Sequence, residues 1–200
     1  MTAATPQIDD LDPAQRLALE FLALLNMAIF LVEAASGMLL GSASLLADAV
    51  SFMDRAGAFG LAAIAVSWSA RDRGWARLAQ GASMGLVGAC AVGQIISRFL
   101  YGGVPAAVGL GAVALIAMAA NLYGGLRQSR AEADNGKSGL PRRSRREAQF
   151  NLAMIFAAGL VAATRAAWPD MIVGAVIAFF SLRAAYAAVA AGGRAVFARK

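Results

Sequence analysis

Long apolar stretches broken by short links dominate the chain. Residues 17–40, 44–68, 78–100, 105–126, 148–167 and 169–191 are each predominantly apolar. A bilayer core is crossed by about 20 such residues in a helix, so these six stretches predict six membrane-spanning helices. The period within them is broken in a telling place. Between Asn26 and Arg55, the run NMAIFLVEAASGMLLGSASLLADAVSFMDR sets Asn26, Glu33, Asp48, Asp54 and Arg55 among apolar neighbours at membrane depth. An ionisable group there costs about 2.5–3.5 kcal/mol on insertion scales, which makes such positions functional candidates by default. The plainer account is a set of buried polar groups that hold helices together.

The links between spans are unequal. GSAS, YGGVP and the turn at Trp168-Pro169 are poor in Lys and Arg, whereas 69–77 and 127–147 are strongly basic. The positive-inside rule then places both termini and the two basic loops in the cytoplasm. The chain divides into a cytoplasmic tail 1–16, a six-helix domain 17–191 and a basic tail 192–200. The N-terminal tail is acidic and polar and does not read as a signal peptide. The loop 127–147, rich in charge, Gly and Pro, is expected to be flexible. Gly81 and Gly85 with Gly88 on the third span, and Gly57 and Gly60 on the second, mark close helix contacts, either within the monomer or at a dimer interface.

Composition agrees with a membrane protein: 60% of the 200 residues are apolar and 15% charged, with a mean hydropathy of +0.62. The net charge of +6 lies in loops beside spans, where it orients the protein and meets anionic headgroups, so nucleic acid is not an expected partner. A single cysteine, Cys90, excludes an internal disulfide framework, and the lack of histidine excludes His-based metal or acid/base chemistry. Any metal ligation must use oxygen donors. No nucleophile elbow, phosphate loop or zinc-protease motif is present, and an enzyme is not expected.

The order of motifs resembles the transmembrane domain of the cation diffusion facilitator (cation efflux) family. The resemblance rests on Asn26, Glu33 and Gly37 in the first span, GSASLLADA from Gly41 to Ala49, ARLAQGASMGL entering the third span, Asn121 in the fourth, and NLAMIFAAGLV followed by WPDMIVGAVIAFFSLRAAY in the last two. It implies an all-α membrane protein with six transmembrane helices and both termini cytoplasmic. It also implies divalent cation efflux coupled to proton antiport, homodimerisation, and a bacterial inner membrane location. The transported ion, Mn²⁺, Fe²⁺, Zn²⁺ or Co²⁺, would be substrate; no permanently bound cofactor is implied.

Family members bind metal through two ligand pairs, one on the second and one on the fifth helix, each four residues apart. Counted from Asp48, the first pair falls at Ser51 and Arg55, which puts a cation where the family has an anion; the second falls at Glu147 and Asn151. Three readings follow. In one, Asp54 takes the place of Arg55, and Ser51, Asp54, Glu147 and Asn151 form an all-oxygen cage suited to hard or borderline ions. In another, Arg55 pairs with Glu147 or Asp54 and fills the metal's place, leaving a carrier of another solute. In the third, the chain is an accessory or structural subunit whose polar residues are interhelical glue.

The remaining polar positions have expectations of their own. Asn26 and Glu33 share one helix face and could line a path or bond Asp48. Asp48 is expected near water, as a cap or in an outer vestibule, and Asp170 as the cap of the sixth helix. Gln80, Gln94 and Asn121 are expected to make interhelical hydrogen bonds.

Overall fold

A computed structural model describes residues 12–65, 68–133 and 142–197. Six helices follow one another: α1 Pro13–Leu40, α2 Ala43–Ile64, α3 Ala70–Tyr101, α4 Ala107–Ala133, α5 Arg142–Thr164 and α6 Trp168–Phe197. No strand occurs among the described residues. All but α2 are long and apolar enough to cross a membrane, so the architecture is that of a multi-pass membrane protein. The exception has a chemical reason: α2 carries Asp48, Asp54 and Arg55 within eight residues. Those charges lower its hydropathy, yet it is the most enclosed helix of the bundle, with every residue from Ala43 to Val50 buried.

Each of the other helices buries one stripe and turns large apolar side chains outward. In α1 the stripe is Leu22, Asn26, Ile29, Glu33 and Gly37, the spacing of one face of a 3.6-residue helix. Leu24, Leu31, Met38 and Leu39 on its other faces are exposed, as lipid contact requires. The helix ends at Gly41 in the left-handed region (φ 67°), and the Ser42 N–H returns to the Gly37 carbonyl 2.9 Å away, a glycine-dependent stop. Ser42 then caps α2 by accepting from the Leu45 N–H.

Close packing comes from small residues. Along α3, a Cβ on Gly74, Gly81 or Gly88 would lie within 3 Å of α6 atoms, among them Ala195, the Val189 backbone and Leu182. The seam therefore repeats every seven residues, and the Gly81/Gly85 spacing read from sequence is not the contact. Gly85 faces open space. Gly57 lies against Gln80 and Gly60 near Ala23. An apolar core joins Leu45, Leu46, Leu110, Met154 and Ile177 from four helices, toward the end where α2 and α4 begin.

Helix boundaries depart from the apolar stretches mainly at the basic end. Helix α3 begins at Ala70 rather than 78, α4 runs to Ala133 rather than 126, and α5 begins at Arg142 rather than 148. A helix satisfies its own backbone wherever it goes, so it need not stop where hydrophobicity does. The loop expected over 127–147 is helical at both ends, and its middle, 134–141, lies outside the described residues. Within the expected N-terminal tail, Pro13 to Arg16 already belong to α1; residues 1–11 and the final 198–200 lie outside the description. Helix α2 ends at Ile64, short of the expected 68.

Candidate functional site

Helices α1, α2, α4 and α5 each turn polar groups into the bundle at one level. On α5, Ser144, Glu147 and Asn151 are buried, spaced three and four apart so that they share one face. On α4, Asn121 is the polar member of the buried stripe that also holds Leu110, Ala114 and Ala117. Glu33 and Asp48 are 0% exposed.

A continuous chain of contacts runs through these groups. The Asn151 Nδ2 donates to Asp48 Oδ2 at 2.6 Å. Asn121 Nδ2 donates to Asn151 Oδ1, and Arg55 Nη1 donates to Asn121 Oδ1. The same Arg55 Nη1 lies 2.7 Å from Glu147 Oε2, a close ion pair without hydrogen-bond alignment, since that oxygen has no hydrogen-bond donor. The Arg55 guanidinium also stacks on Phe52, 4.2 Å from the ring centroid. Arg143, one turn before Glu147, donates its Nε to Glu147 Oε1 at 3.0 Å and its Nη2 to Asp54 Oδ2. Gln80 of α3 donates to the Asp54 backbone carbonyl at 3.0 Å and to its carboxylate at 3.3 Å.

The candidate quartet is thus divided. Ser51, Asp54 and Glu147 line one cavity of about 320 Å³, while Asn151 lies deeper, bonded to Asp48 and Asn121. Arg143 stands between Asp54 and Glu147, and Arg55 takes the other oxygen of Glu147. Both carboxylates of the quartet are held by guanidinium groups. Arg143 was read from sequence only as one charge of a basic loop; its place four residues before Glu147 on a continuing helix was the available signal.

Three expectations need correction. Asp48 is neither a cap nor at an outer vestibule: it is fully buried and accepts from Asn151, because α1 brings Glu33, α5 brings Asn151 and α6 brings Ser181 against this turn of α2. Asp170 does not sit in water capping its own helix. It is 1% exposed and accepts from Ser42 Oγ at 2.7 Å, Ser44 Oγ at 2.5 Å and the Ala43 N–H at 2.7 Å, so it caps α2 from α6. Asn26 donates to the Leu22 carbonyl of its own helix rather than to Asp48. Gln80 and Asn121 make interhelical bonds as expected.

Glu33 completes the layer. It is buried against Asp48, across the α1–α2 contact, with the two carboxyl groups within hydrogen-bonding reach of each other; no N–H or other donor group faces either Glu33 oxygen or Asp48 Oδ1. With Glu147, the layer holds three carboxyl groups against the one guanidinium of Arg55, while Asp54 and Arg143 pair at its edge. Isolated ions buried in protein cost several kcal/mol each, so the layer is stable only when it takes up positive charge. Among the described residues, no three His, Cys, Asp or Glu side chains converge on one metal position.

Two cavities reach this layer at the end where Arg143 and Arg146 stand. The one holding Asp54 and Glu147 is adjoined by a smaller, more enclosed one lined by Asn26, Arg55, Gln128, Arg143 and Glu147. At the opposite end, α2 and α6 are locked by the Ser42–Ser44–Asp170 cluster. Fold and site together define a helical membrane bundle with a charged layer buried inside and polar-lined cavities beside it. No family model matches the sequence, and no curated protein matches it.

Proposed function

We propose that the protein is a six-span cation transporter that moves a divalent metal ion out of the cytoplasm in exchange for protons. The observation that carries this reading is the excess of buried carboxyl groups: Glu33 and Asp48 lie against each other and present three oxygens that no donor of the protein faces. A site of that charge in a bilayer calls for a cation, and competition between protons and a metal for the same oxygens is a means of coupling. The resemblance of the motifs to cation efflux proteins supports the same reading. In this scheme both termini lie in the cytoplasm of a bacterial cell, and the protein works as a homodimer.

The ion enters through the cavity at the basic end and displaces Arg143 from Asp54 and Glu147. It then passes by Asn151 to Asp48 and Glu33. Release on the other side requires the Asp170 cluster to part, which makes α2 and α6 the elements that move. Purified protein in proteoliposomes, given an inward or outward pH gradient and Mn²⁺, Fe²⁺, Zn²⁺ or Co²⁺, tests this directly. Metal flux that collapses in Glu33→Gln and Asp48→Asn is expected; flux of every ion unchanged in both variants overturns it.

A second reading draws on the Arg55–Glu147 contact. If that pair permanently fills the metal's place, the protein carries another solute or serves as an accessory subunit. Saturable metal binding by the wild type that disappears in Glu147→Gln counts against it.

A further inference from the structure

We infer that a wedge between the basic ends of α2, α3 and α6 is a binding site for the anionic headgroup of a phospholipid. The wedge encloses about 720 Å³, within the range of sites that hold a sizeable ligand. It forms because α3 and α6 stay together to their ends, with Gly74 against Gly192, while α2 stops at Ile64 and leaves their seam.

Its two walls differ in chemistry. Arg73, Arg77 and Gln80 line it from α3, and their spacing of four and three residues sets them on one helix face. Alanines of α2 and α6, Ala62 and Ala188 among them, form the apolar wall. Arg73 spends one N–H on the Ala65 carbonyl at 3.2 Å, which ties the guanidinium to the end of α2 and leaves its other donors available. Neither Arg73 nor Arg77 is paired with a carboxylate among the described residues. Asp54 at the deep end is the one acidic lining group, and it is already engaged by Arg143 and Gln80.

Two guanidinium groups above an apolar wall match a phosphodiester with acyl chains below it. The depth fits as well. Trp75 and Phe197 pack edge to face with centroids 6.2 Å apart, both exposed, and Trp68 is exposed nearby in sequence. Such aromatic groups collect at the headgroup level of a membrane. The wedge therefore opens at the leaflet where anionic lipid meets basic residues. A lipid there would also bear on the charged layer, because Gln80 both lines the wedge and bonds Asp54.

The test uses the full-length, detergent-purified protein and native mass spectrometry, titrated with phosphatidylglycerol or phosphatidylcholine. Phosphatidylglycerol should bind in preference, and Arg73→Gln/Arg77→Gln should weaken it about thirtyfold, the loss implied by two arginines at an anionic surface. Ala188→Phe, which fills the wedge and leaves both arginines in place, should weaken it too and stands in should the double variant not fold. Arg183→Gln/Arg194→Gln, on the exposed face of α6, should have no effect. Equal retention in all variants overturns the site, as does an equal loss in all of them, which would indicate diffuse attraction. Glycerol 3-phosphate binding as tightly as the lipid overturns the lipid assignment in favour of a soluble anion.

Discussion

Arg55 of α2 and Glu147 of α5 meet 2.7 Å apart with side-chain exposures of 11% and 2%, so Glu147 is the carboxylate that holds Arg55 in the bundle, while Glu147 itself is also held by Arg143 at 3.0 Å. Stranding one member of a buried pair costs about 3–5 kcal/mol, whereas apolar replacement of both is often near neutral. Glu147→Met strands Arg55 and should lower thermal stability in detergent strongly; Arg55→Met leaves Glu147 its bond to Arg143 and should cost less, and the double variant should recover much of the Glu147→Met loss. Additive losses in unfolding midpoints would show that the two side chains act independently.

Glu33 makes the opposite case. Its carboxyl is fully buried against the Asp48 carboxyl with no donor of the protein facing it, so it costs stability whenever both are charged. Glu33→Gln keeps the shape and removes the charge; its unfolding midpoint should match or exceed wild type while metal flux in proteoliposomes is lost. A drop in stability together with intact flux would assign Glu33 to packing.

Asp170 should be the strongest polar contributor to stability outside the layer. Its carboxylate accepts from two hydroxyls and the Ala43 amide, with the Ser44 amide at 3.3 Å, and hydrogen bonds to charged groups are worth about 1.5–3 kcal/mol each. Asp170→Ala leaves these donors buried and unsatisfied and should lower stability by at least about 3 kcal/mol, more than Ser42→Ala, which removes one of these bonds together with the cap on the Leu45 N–H. Comparable midpoints for the two variants would refute the ranking.

The sequence disclosed the bundle because all six stretches are predominantly apolar, although α2, with Asp48, Asp54 and Arg55, falls short of the hydropathy of the other five. It disclosed Glu33 and Asn121 because they stand in apolar surroundings, and Glu147 and Asn151 through the resemblance to the cation efflux family; the depth of Asp48 it did not disclose. It did not disclose who pairs with whom. That Arg143 reaches Asp54 depends on α5 continuing a turn past its apolar stretch, and helix ends in water leave little trace in hydropathy. Asp170 was misplaced for a related reason: an acidic residue in the first turn of a helix normally caps that helix, and only the tertiary approach of α6, with Gly174 against the Ala43 and Ser44 backbone, brings it to α2.

The glycines of α3 separate internal packing from packing between copies. A Cβ on Gly81 would stand 2.8 Å from the Val189 backbone nitrogen and 2.9 Å from the Ala185 carbonyl oxygen, and backbone atoms of a packed helix cannot step aside individually. Gly81→Val should therefore split the α3–α6 seam and cost about 3 kcal/mol or more, the upper range for overpacking. A Cβ on Gly85 meets nothing within 4 Å, so Gly85→Val should leave the midpoint of a monomer within about 0.5 kcal/mol of wild type, as for a surface change. Cross-linking or light scattering in detergent then distinguishes the remaining use of Gly85. If copies of the chain pack through that face, Gly85→Val reduces the dimer fraction without destabilising the subunit. If the oligomeric state is unchanged, the open face of α3 meets lipid alone, and any dimer forms elsewhere on the bundle.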